Sequence, residues 1–415
     1  MKALCLKLFI ILSLFFPAVY SPFQEDYKAE YYVIFTLAYA VLLLYMGGQL
    51  FCGRRKQGNR FIILYLAGIV IYNVLSLYMN IKYLHWYGEQ INNTITFLFL
   101  LFLCWYEDSL GEQGESLVMF FLRCAIFSNI LSIIYFFMGY MSYLICNNQF
   151  WFLRLSGEYY EFRHHWIYSH KSDYALMLTA FTAVAVRFRS LFFSRFTWCL
   201  SLSVFLTALF LTHSWTGFGA VALVFLGAWM DRTDWKKIRF RRIYVLWGAV
   251  VFLGGGIFLK LLARERSLFS LGGRLDIWRG AVREILRKPE GWGYWFSEVL
   301  FEATPDWQVN NAHNVFLNAL LRFSVPVGVC FILLFLLIIG YSLYKSRTWM
   351  AAGMWLGFFV ILNMDYCLLS HEMGMFLFTV YLVCIYEPGE GEGRVCVEGS
   401  GQEKKGTAYR RCRFR

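Results

Sequence analysis

The chain of 415 residues is 59% hydrophobic, 20% aromatic and only 16% charged, and its mean hydropathy is +0.50. This composition excludes an ordinary soluble domain and indicates a polytopic membrane protein. The formal net charge of +12 does not predict a nucleic-acid partner, because Lys and Arg mark the cytoplasmic side of a membrane protein.

Apolar runs long enough to cross roughly 30 Å of hydrocarbon follow one another along most of the chain. The first run comes after Lys2 and Lys7 but has no small-x-small cleavage site before Ser21, so we expect a retained span. We predict an all-α fold with one membrane domain, residues 1–386, and about twelve transmembrane helices. The predicted spans lie near residues 4–20, 31–52, 61–79, 92–105, 118–146, 173–187, 197–213, 216–230, 243–262, 316–344, 348–366 and 372–386.

Basic connections alternate with less basic ones along this series of spans. With the amino terminus in the cytoplasm, the positive-inside rule accounts for the alternation and places both termini there. The tail 387–415 is rich in Gly and charge, so we expect it to be disordered and its basic end to contact anionic lipid. The cytoplasmic connections in this topology are 53–60, 107–115, 187–196, 231–242 and 345–347, of which only 107–115 is not basic.

The longest connection, residues 263–313, falls on the outer face. Long loops in compact proteins are usually either functional or disordered. Several Trp residues give this loop apolar surface to pack, which favours a folded segment. We therefore expect the functional site in this loop.

The loop contains the pattern of an amphipathic helix, with its apolar residues at three- and four-residue steps. Arg279, Arg283 and Arg287 form a stripe along this helix. The stripe fits either an anion site, since guanidinium groups bind phosphate bidentately, or an interfacial helix that faces water and lipid headgroups. The apolar positions are Leu275, Trp278, Val282 and Ile285.

Arg274 stands apart from the stripe because it follows Gly272 and Gly273 at the start of the helix. Main-chain N–H groups and the helix dipole already favour an anion at such a position. We therefore interpret Arg274 as a binding residue for a phosphate or diphosphate group.

His313 and Asn314 lie where the loop returns to the membrane. A single His is more often a structural residue than a catalyst. Its imidazole can nevertheless act as a general base near neutral pH, for example by taking a proton from a sugar hydroxyl.

A second outer connection, residues 147–172, carries Arg163, His164, His165 and His170 just before a predicted span. It is either a polar lining that binds sugar hydroxyls or a solvated loop. The His spacing is not that of a structural metal site, and neither a Cys nor a carboxylate cluster joins it, so we predict no metal.

The long loop and the span that follows it carry three short motifs in a fixed order. Together with the array of spans, these motifs resemble the O-antigen polymerase and ligase family. They are G-R-x-x-x-W (Gly273, Arg274, Trp278), P-x-G-x-G (Pro289, Gly291, Gly293) and H-N-x-x-L (His313, Asn314, Leu317).

The resemblance implies a glycosyltransferase on the outer face of the bacterial cytoplasmic membrane. Such an enzyme moves a glycan from an undecaprenyl-diphosphate carrier to an acceptor hydroxyl without a metal, a nucleotide sugar or another cofactor. The resemblance makes Arg274 the diphosphate-binding residue and His313 the acceptor base, with Asn314 and Trp278 shaping the site. From the residues of the two outer connections, we add Arg279, Arg283, Arg163 and His170 as candidate substrate-binding residues. Membrane lipids and other proteins of polysaccharide assembly are further candidate partners.

One position departs from the family pattern. The family often carries T-x-S-R near the middle spans, whereas Thr212-His213-Ser214 is followed here by Trp215. One expected phosphate contact is therefore missing, and His213, Arg154 or Arg163 are the nearby candidates to replace it.

Three other functions stay open from the sequence. Polymerase and ligase activity are the same reaction with different acceptors, so the residues do not separate them. A transporter or flippase of lipid-linked oligosaccharide would also have many spans, but it would tend to show two related halves and a long cytoplasmic connection. A non-catalytic assembly or sensor protein is a further alternative.

Overall fold

A computed structural model describes residues 2–16, 29–56, 59–83, 88–107, 109–110, 114–146, 164–168, 170–233, 273–293, 300–364 and 372–387. Within these residues the chain forms thirteen α-helices, a short 3-10 turn and one two-stranded antiparallel sheet. The predicted helical fold class is confirmed. The predicted disordered tail lies outside the described residues apart from its first residue, as do Arg163 and the predicted span 243–262.

The helices are α1 Lys2–Phe15, α2 Ala29–Cys52, α3 Arg60–Tyr83, α4 Gly88–Trp105, α5 Gly114–Cys146, α6 Lys171–Arg187, α7 Arg195–Thr212, α8 Trp215–Arg232, α9 Arg274–Arg287, α10 Val315–Phe323, α11 Val325–Ser346, α12 Trp349–Met364 and α13 Glu372–Cys384. The strands are β1 Phe301–Thr304 and β2 Trp307–Val309, and the 3-10 turn is Arg189–Leu191.

Every predicted span within the described residues falls on helix, but the prediction of one span over 316–344 is wrong. The helix is interrupted at Ser324. This residue has a φ of 91°, which ends α10, and its side chain caps α11. A helix cannot pass through a residue in that conformation. Because of this interruption, α10 is a separate short helix that packs with the loop segment, and it is not part of a long span.

Four helices are long and apolar enough to cross a membrane by length and composition: α3, residues 114–139 of α5, α7 and α11. Shorter apolar helices run over Leu37–Cys52, Gln90–Trp105, Trp349–Met364 and Met373–Cys384. The chain therefore has the helices of a membrane protein, and the count of twelve spans stays a prediction.

The centre of the bundle is formed by α6 and α13, whose described side chains are almost all buried. Small residues bring α8 and α12 together as antiparallel neighbours. A Cβ added to Gly357 would lie 2.8 Å from Cα of Ala220, so the two backbones touch directly, as is common between membrane helices. At the far end of this pair, Asp231 accepts hydrogen bonds from the main-chain N–H groups of Trp349 (2.7 Å) and Met350 (2.9 Å).

Most basic connections between helices lie at this same end of the bundle, which we call the basic end. There the connection that contains Lys56 bonds to the end of α4, from Lys56 N to the oxygen of Trp105 (2.7 Å). The basic residues of the described connections and helix ends there include Arg54, Arg55, Lys56, Arg60, Arg187, Arg189, Arg195, Arg232, Lys345 and Arg347.

At the opposite end, α9, the β1–β2 hairpin and α10 form a small subdomain, which we call the loop subdomain. Its hydrophobic core is separate from that of the bundle and consists of Ile277, Ala281, Ile285, Phe301, Ala303, Ala312 and Leu321. The predicted amphipathic helix is confirmed as α9. The hairpin was not predicted, and α9 lies so close to it that a Cβ on Gly280 would meet the main-chain oxygen of Glu302.

Candidate functional site

Arg274 is the first residue of α9 and is half-buried. The preceding Gly273 has a φ of 83°, and a Cβ there would come within 2.8 Å of the Trp307 ring, so both backbone and space require glycine. Arg274 donates a hydrogen bond from Nε to the main-chain oxygen of Met364 at 2.6 Å. Met364 is the last residue of α12, so this bond joins the loop subdomain to the bundle.

His313 and Asn314 form the turn that starts α10. His313 is partly exposed and has a left-handed conformation with a φ of 47°, and its N–H donates to Oδ1 of Asn311 at 2.6 Å. Oδ1 of Asn314 caps α10 by accepting from the N–H groups of Phe316 (2.9 Å) and Leu317 (3.0 Å). The imidazole of His313 is therefore presented by a turn whose backbone is fixed by side chains.

The same Asn314 connects this turn to α12, because its Nδ2 donates to Oδ1 of Asn363 at 2.9 Å. Asn363 and Met364 are neighbours in the chain. The Arg274 and His313 segments, which are about forty residues apart, are therefore both fixed to the last residues of one helix. Asn363 itself is held by a bond from its Nδ2 to the oxygen of Phe359 (2.8 Å).

Two asparagines that the sequence analysis did not single out, Asn311 and Asn318, stabilise the His313 turn. Asn318 is 1% exposed, accepts from the N–H of Ala312 at 2.9 Å and donates to Oδ1 of Asn311 at 3.5 Å. The available signal was the density of Asn in the segment 310–318, since amide side chains favour turns and helix caps.

The arginines of the predicted stripe make different contacts. Nη2 of Arg283 donates to the main-chain oxygens of Glu302 (3.2 Å) and Ala303 (3.4 Å), which holds α9 on β1. Arg279 forms an exposed ion pair with Asp276 at 3.3 Å, and its side chain is 76% exposed. Arg283 thus has a structural contact, and a substrate contact of either residue stays a prediction.

Trp278 packs against the core of the loop subdomain, and its Nε1 is buried with no hydrogen-bond partner among the described residues. Trp292 has the same property, and Nζ of Lys288 lies 3.9 Å above its ring. A buried indole N–H is usually hydrogen-bonded, and a substrate contact of Trp278 stays a prediction.

The P-x-G-x-G motif forms a turn against the break between α10 and α11. Gly291 has a φ of 79° and Gly293 a φ of 61°. The N–H of Trp292 donates to the oxygen of Leu321 (2.8 Å), and that of Val325 donates to the oxygen of Pro289 (2.9 Å). The central motif therefore fixes the loop subdomain to the start of α11.

The short segment 164–168 lies against α5 and α7, where His164 is a buried structural residue. Its Nε2 is 2.6 Å from Oγ of Ser132, and that hydroxyl is 2.7 Å from Oη of Tyr174. Burial, with a smaller effect from the neighbouring His165, lowers the pKa of His164 from 6.5 to about 4. Its imidazole is therefore neutral near pH 7 and is hydrogen-bonded to Ser132 within this network.

The other histidines of this connection differ from His164. Nδ1 of His165 is 2.7 Å from the oxygen of Tyr168, and burial lowers the pKa of His165 as well. His170 is exposed and caps α6, with Nδ1 accepting from the N–H of Ser172 at 3.3 Å. A sugar-binding role of His170 stays a prediction, as does that of Arg163, which lies outside the described residues.

The turn between α7 and α8 lies at the end of the bundle where the loop subdomain is attached. Ala220 of α8 contacts Gly357 of α12 in an antiparallel pair. Continuing this register by about two helical turns places His213 level with Met364, the residue that anchors Arg274. Trp215, which stands where the family carries Arg, is 51% exposed.

Within the described residues, no group of three or more His, Cys, Asp or Glu side chains could hold a metal ion. The candidate site consists of the half-buried guanidinium of Arg274 and the partly exposed imidazole of His313. Hydrogen bonds fix both segments to the end of α12.

A family model described as O-Antigen ligase matches residues 200–332. The match covers about a third of the chain, from α7 to the first part of α11, and includes all three motifs of the loop subdomain. It confirms the resemblance to the O-antigen ligase and polymerase family that the motifs predicted. No curated protein and no solved structure matches the chain.

Proposed function

We propose that this protein is an integral-membrane glycosyltransferase that moves a glycan from an undecaprenyl-diphosphate carrier to an acceptor hydroxyl, as a polymerase or a ligase of surface polysaccharide. The match to the O-antigen ligase family supports the class of enzyme. The observation that carries the proposal is the joint anchoring of Arg274 and Asn314 to Met364 and Asn363. It brings a cation and the His313 turn to one place.

Arg274 would bind the diphosphate of the donor. Its guanidinium stays charged at every relevant pH, and its planar fork matches phosphate oxygens. The bond from Nε to Met364 orients that fork before substrate binds. An oriented cation stabilises the charge that develops on the leaving diphosphate without reorganising during the reaction.

His313 would accept the proton of the acceptor. As the acceptor oxygen forms its bond to the anomeric carbon, the bond from that carbon to the diphosphate oxygen breaks and the imidazole takes the hydroxyl proton. The diphosphate leaves as an anion beside Arg274. Because the leaving group is already activated, positioning and charge stabilisation suffice for this step.

The loop subdomain would face the outside of the cell. The described basic connections cluster at the opposite, basic end of the bundle, and the positive-inside rule assigns that end to the cytoplasm. A flippase or transporter is not favoured, because the family match is to a ligase.

Deleting the gene and analysing the lipid-linked glycans of the cell tests the proposal. Accumulation of single repeat units on the carrier is the result for a polymerase, and accumulation of long chains is the result for a ligase. Units trapped on the cytoplasmic leaflet would indicate a flippase and contradict the proposal. Complementation with the unaltered gene is the control, and Arg274→Ala should fail to complement.

A further inference from the structure

A group of uncharged polar side chains lies between α3 and α4, two helices that are otherwise largely apolar. Polar side chains inside membrane helices are unfavourable and usually have a function. We call this group the amide cluster, and its members are Tyr72, Asn73, Ser76, Asn80, Gln90, Asn93 and Thr94.

Part of the cluster joins the two helices. Nδ2 of Asn80 donates to Oε1 of Gln90 at 3.2 Å, and Oγ1 of Thr94 donates to Oδ1 of Asn73 at 3.0 Å. A third bond runs from Nδ2 of Asn93 to Oη of Tyr72 at 3.3 Å. Bonds of this kind hold membrane helices together and account for half of the polar atoms.

Nδ2 of Asn73 donates to the main-chain oxygen of Ile69 within α3 at 2.8 Å, but three other polar atoms of the cluster are not explained by helix packing. Oγ of Ser76, Oδ1 of Asn80 and Nε2 of Gln90 are buried and have no hydrogen-bond partner among the described residues. Ser76 is 4% exposed and Gln90 3% exposed. Buried polar groups are nearly always paired, so three such atoms in one cluster indicate that a ligand or water supplies their partners.

The cluster lies toward the same end of the bundle as the loop subdomain. The Phe61 ring stacks on Tyr341 with centroids 3.7 Å apart, and a Cβ on Gly68 would lie 2.8 Å from Leu334. These two contacts pair rising residue numbers along α3 with falling numbers along α11, so the two helices are antiparallel. Two further helical turns place Ser76 level with the start of α11.

That position is one short helix from the proposed reaction centre. α10 ends where α11 begins, starts directly after the His313 turn and is about 14 Å long. An oligosaccharide chain with its reacting end at His313 can therefore reach the amide cluster.

The chemistry of the cluster selects a neutral ligand. Its side chains are amides and hydroxyls, which offer donors and acceptors but no charge for a phosphate or a cation. Asn73, Asn80 and Thr94 are partly exposed, whereas Ser76 and Gln90 are buried. Hydroxyl and acetamido groups of sugars present the matching pairs of donors and acceptors.

We propose that the amide cluster binds neutral sugar residues of the glycan at a subsite away from the bond being formed. The identification of the ligand as a glycan rests on the proposed function. The bound sugar hydroxyls complete the hydrogen bonding of Ser76, Asn80 and Gln90.

Direct binding of an oligosaccharide tests this subsite. The probe is the oligosaccharide released by mild acid from the lipid-linked glycans of the host cell, and binding to the purified full-length protein is measured by saturation-transfer NMR. Ser76→Ala removes a hydroxyl that has no partner among the described residues. Gln90→Met keeps a similar shape and removes the partnerless N–H group together with the acceptor of the bond from Asn80. Ser13→Ala is the matched control, since Ser13 is 3% exposed and its hydroxyl also has no partner, but it lies in α1.

The subsite predicts that Ser76→Ala and Gln90→Met weaken binding by about tenfold each. The melting temperature of Ser76→Ala should be unchanged or higher, and Ser13→Ala should bind as the unaltered protein does. Unchanged binding by Ser76→Ala, or a failure of the unaltered protein to bind the oligosaccharide, overturns the inference.

Glycan transfer, measured in parallel, separates this inference from the proposed function. A protein that transfers glycan but binds the probe equally well without Ser76 refutes the subsite alone. A protein that binds the probe through the cluster but transfers no glycan refutes the proposed function alone.

Discussion

Arg274 and Met364 are joined by a hydrogen bond of 2.6 Å from Nε to the main-chain oxygen, which ties the first residue of α9 to the last residue of α12. Only an arginine offers an N–H at that position together with a terminal fork. Arg274→Lys keeps the charge and loses this arrangement, so we predict a fall in glycan-transfer turnover of roughly 10²–10³-fold. Steady-state turnover with a lipid-linked oligosaccharide measures the effect.

Arg279→Ala tests separately whether the predicted arginine stripe binds substrate. Arg279 lies on the same helix, but its side chain is 76% exposed and pairs only loosely with Asp276 among the contacts described. Exposed ion pairs stabilise by at most about 1 kcal/mol, so this variant should keep near-normal stability. A loss of turnover equal to that of Arg274→Lys would show that the stripe binds substrate as a whole.

The bond between Asn314 and Asn363 should be measurable as a coupling energy. We predict that Asn314→Ala destabilises the protein by roughly 1–3 kcal/mol, because it removes both the cap of α10 and this bond. Asn363→Ala removes this bond together with the bond from Nδ2 of Asn363 to the oxygen of Phe359. In a double-mutant cycle, unfolding in mixed detergent should give a coupling of about 0.5–1.5 kcal/mol, and strictly additive effects would mean that the two side chains do not interact.

The contact between α9 and β1 depends on Gly280, where a Cβ would meet the main-chain oxygen of Glu302. Gly280→Ala should therefore push the helix away from the strand and destabilise the protein by about 1–3 kcal/mol. Gly340→Ala is the control, since nothing lies within 4 Å of its added Cβ, and it should stabilise α11 by about 0.4–1 kcal/mol. Equal effects of the two substitutions on thermal unfolding would contradict the packing described.

The stability of the protein should depend on His164 between pH 4 and 6.5. Its folded-state pKa of about 4 lies below the ordinary value of 6.5, so the unfolded chain binds the proton more readily in this window. Stability from this group is complete above pH 6.5 and is lost as the pH falls toward 4, by on the order of 3 kcal/mol. His164→Gln should flatten the profile of unfolding free energy against pH, and an unchanged profile would count against the burial of this imidazole.

Much of the fold was predictable because helix bounds follow from apolar runs and from local breakers. The amphipathic α9 was recognised from its apolar spacing, and Arg274 from its place after two glycines. The break at Ser324 was missed because the apolar run continues through it, and only tertiary contacts of the P-x-G-x-G turn hold that residue at a positive φ.

The residues of the candidate site could be proposed from the sequence, but the contacts between them could not. Sequence order gave no sign that Asn363 and Met364 anchor the loop subdomain, since they end an apolar helix far along the chain. The contact of Arg283 with β1 was not predicted for a related reason: the hairpin whose main-chain oxygens it binds has a weak local pattern. His164 resembled a surface histidine until its contacts with Ser132 and Tyr174 were known.

The central claim is that this chain cleaves the bond between a glycan and its diphosphate carrier and passes the glycan to an acceptor. The most direct measurement reconstitutes the purified protein in liposomes with an undecaprenyl-diphosphate-linked oligosaccharide and an acceptor glycan, and quantifies both products. We predict that elongated glycan and free undecaprenyl diphosphate appear in equal amounts, and that His313→Ala abolishes both while Gly340→Ala, whose added Cβ has nothing within 4 Å, does not. Movement of intact donor across the bilayer without release of undecaprenyl diphosphate would contradict the claim.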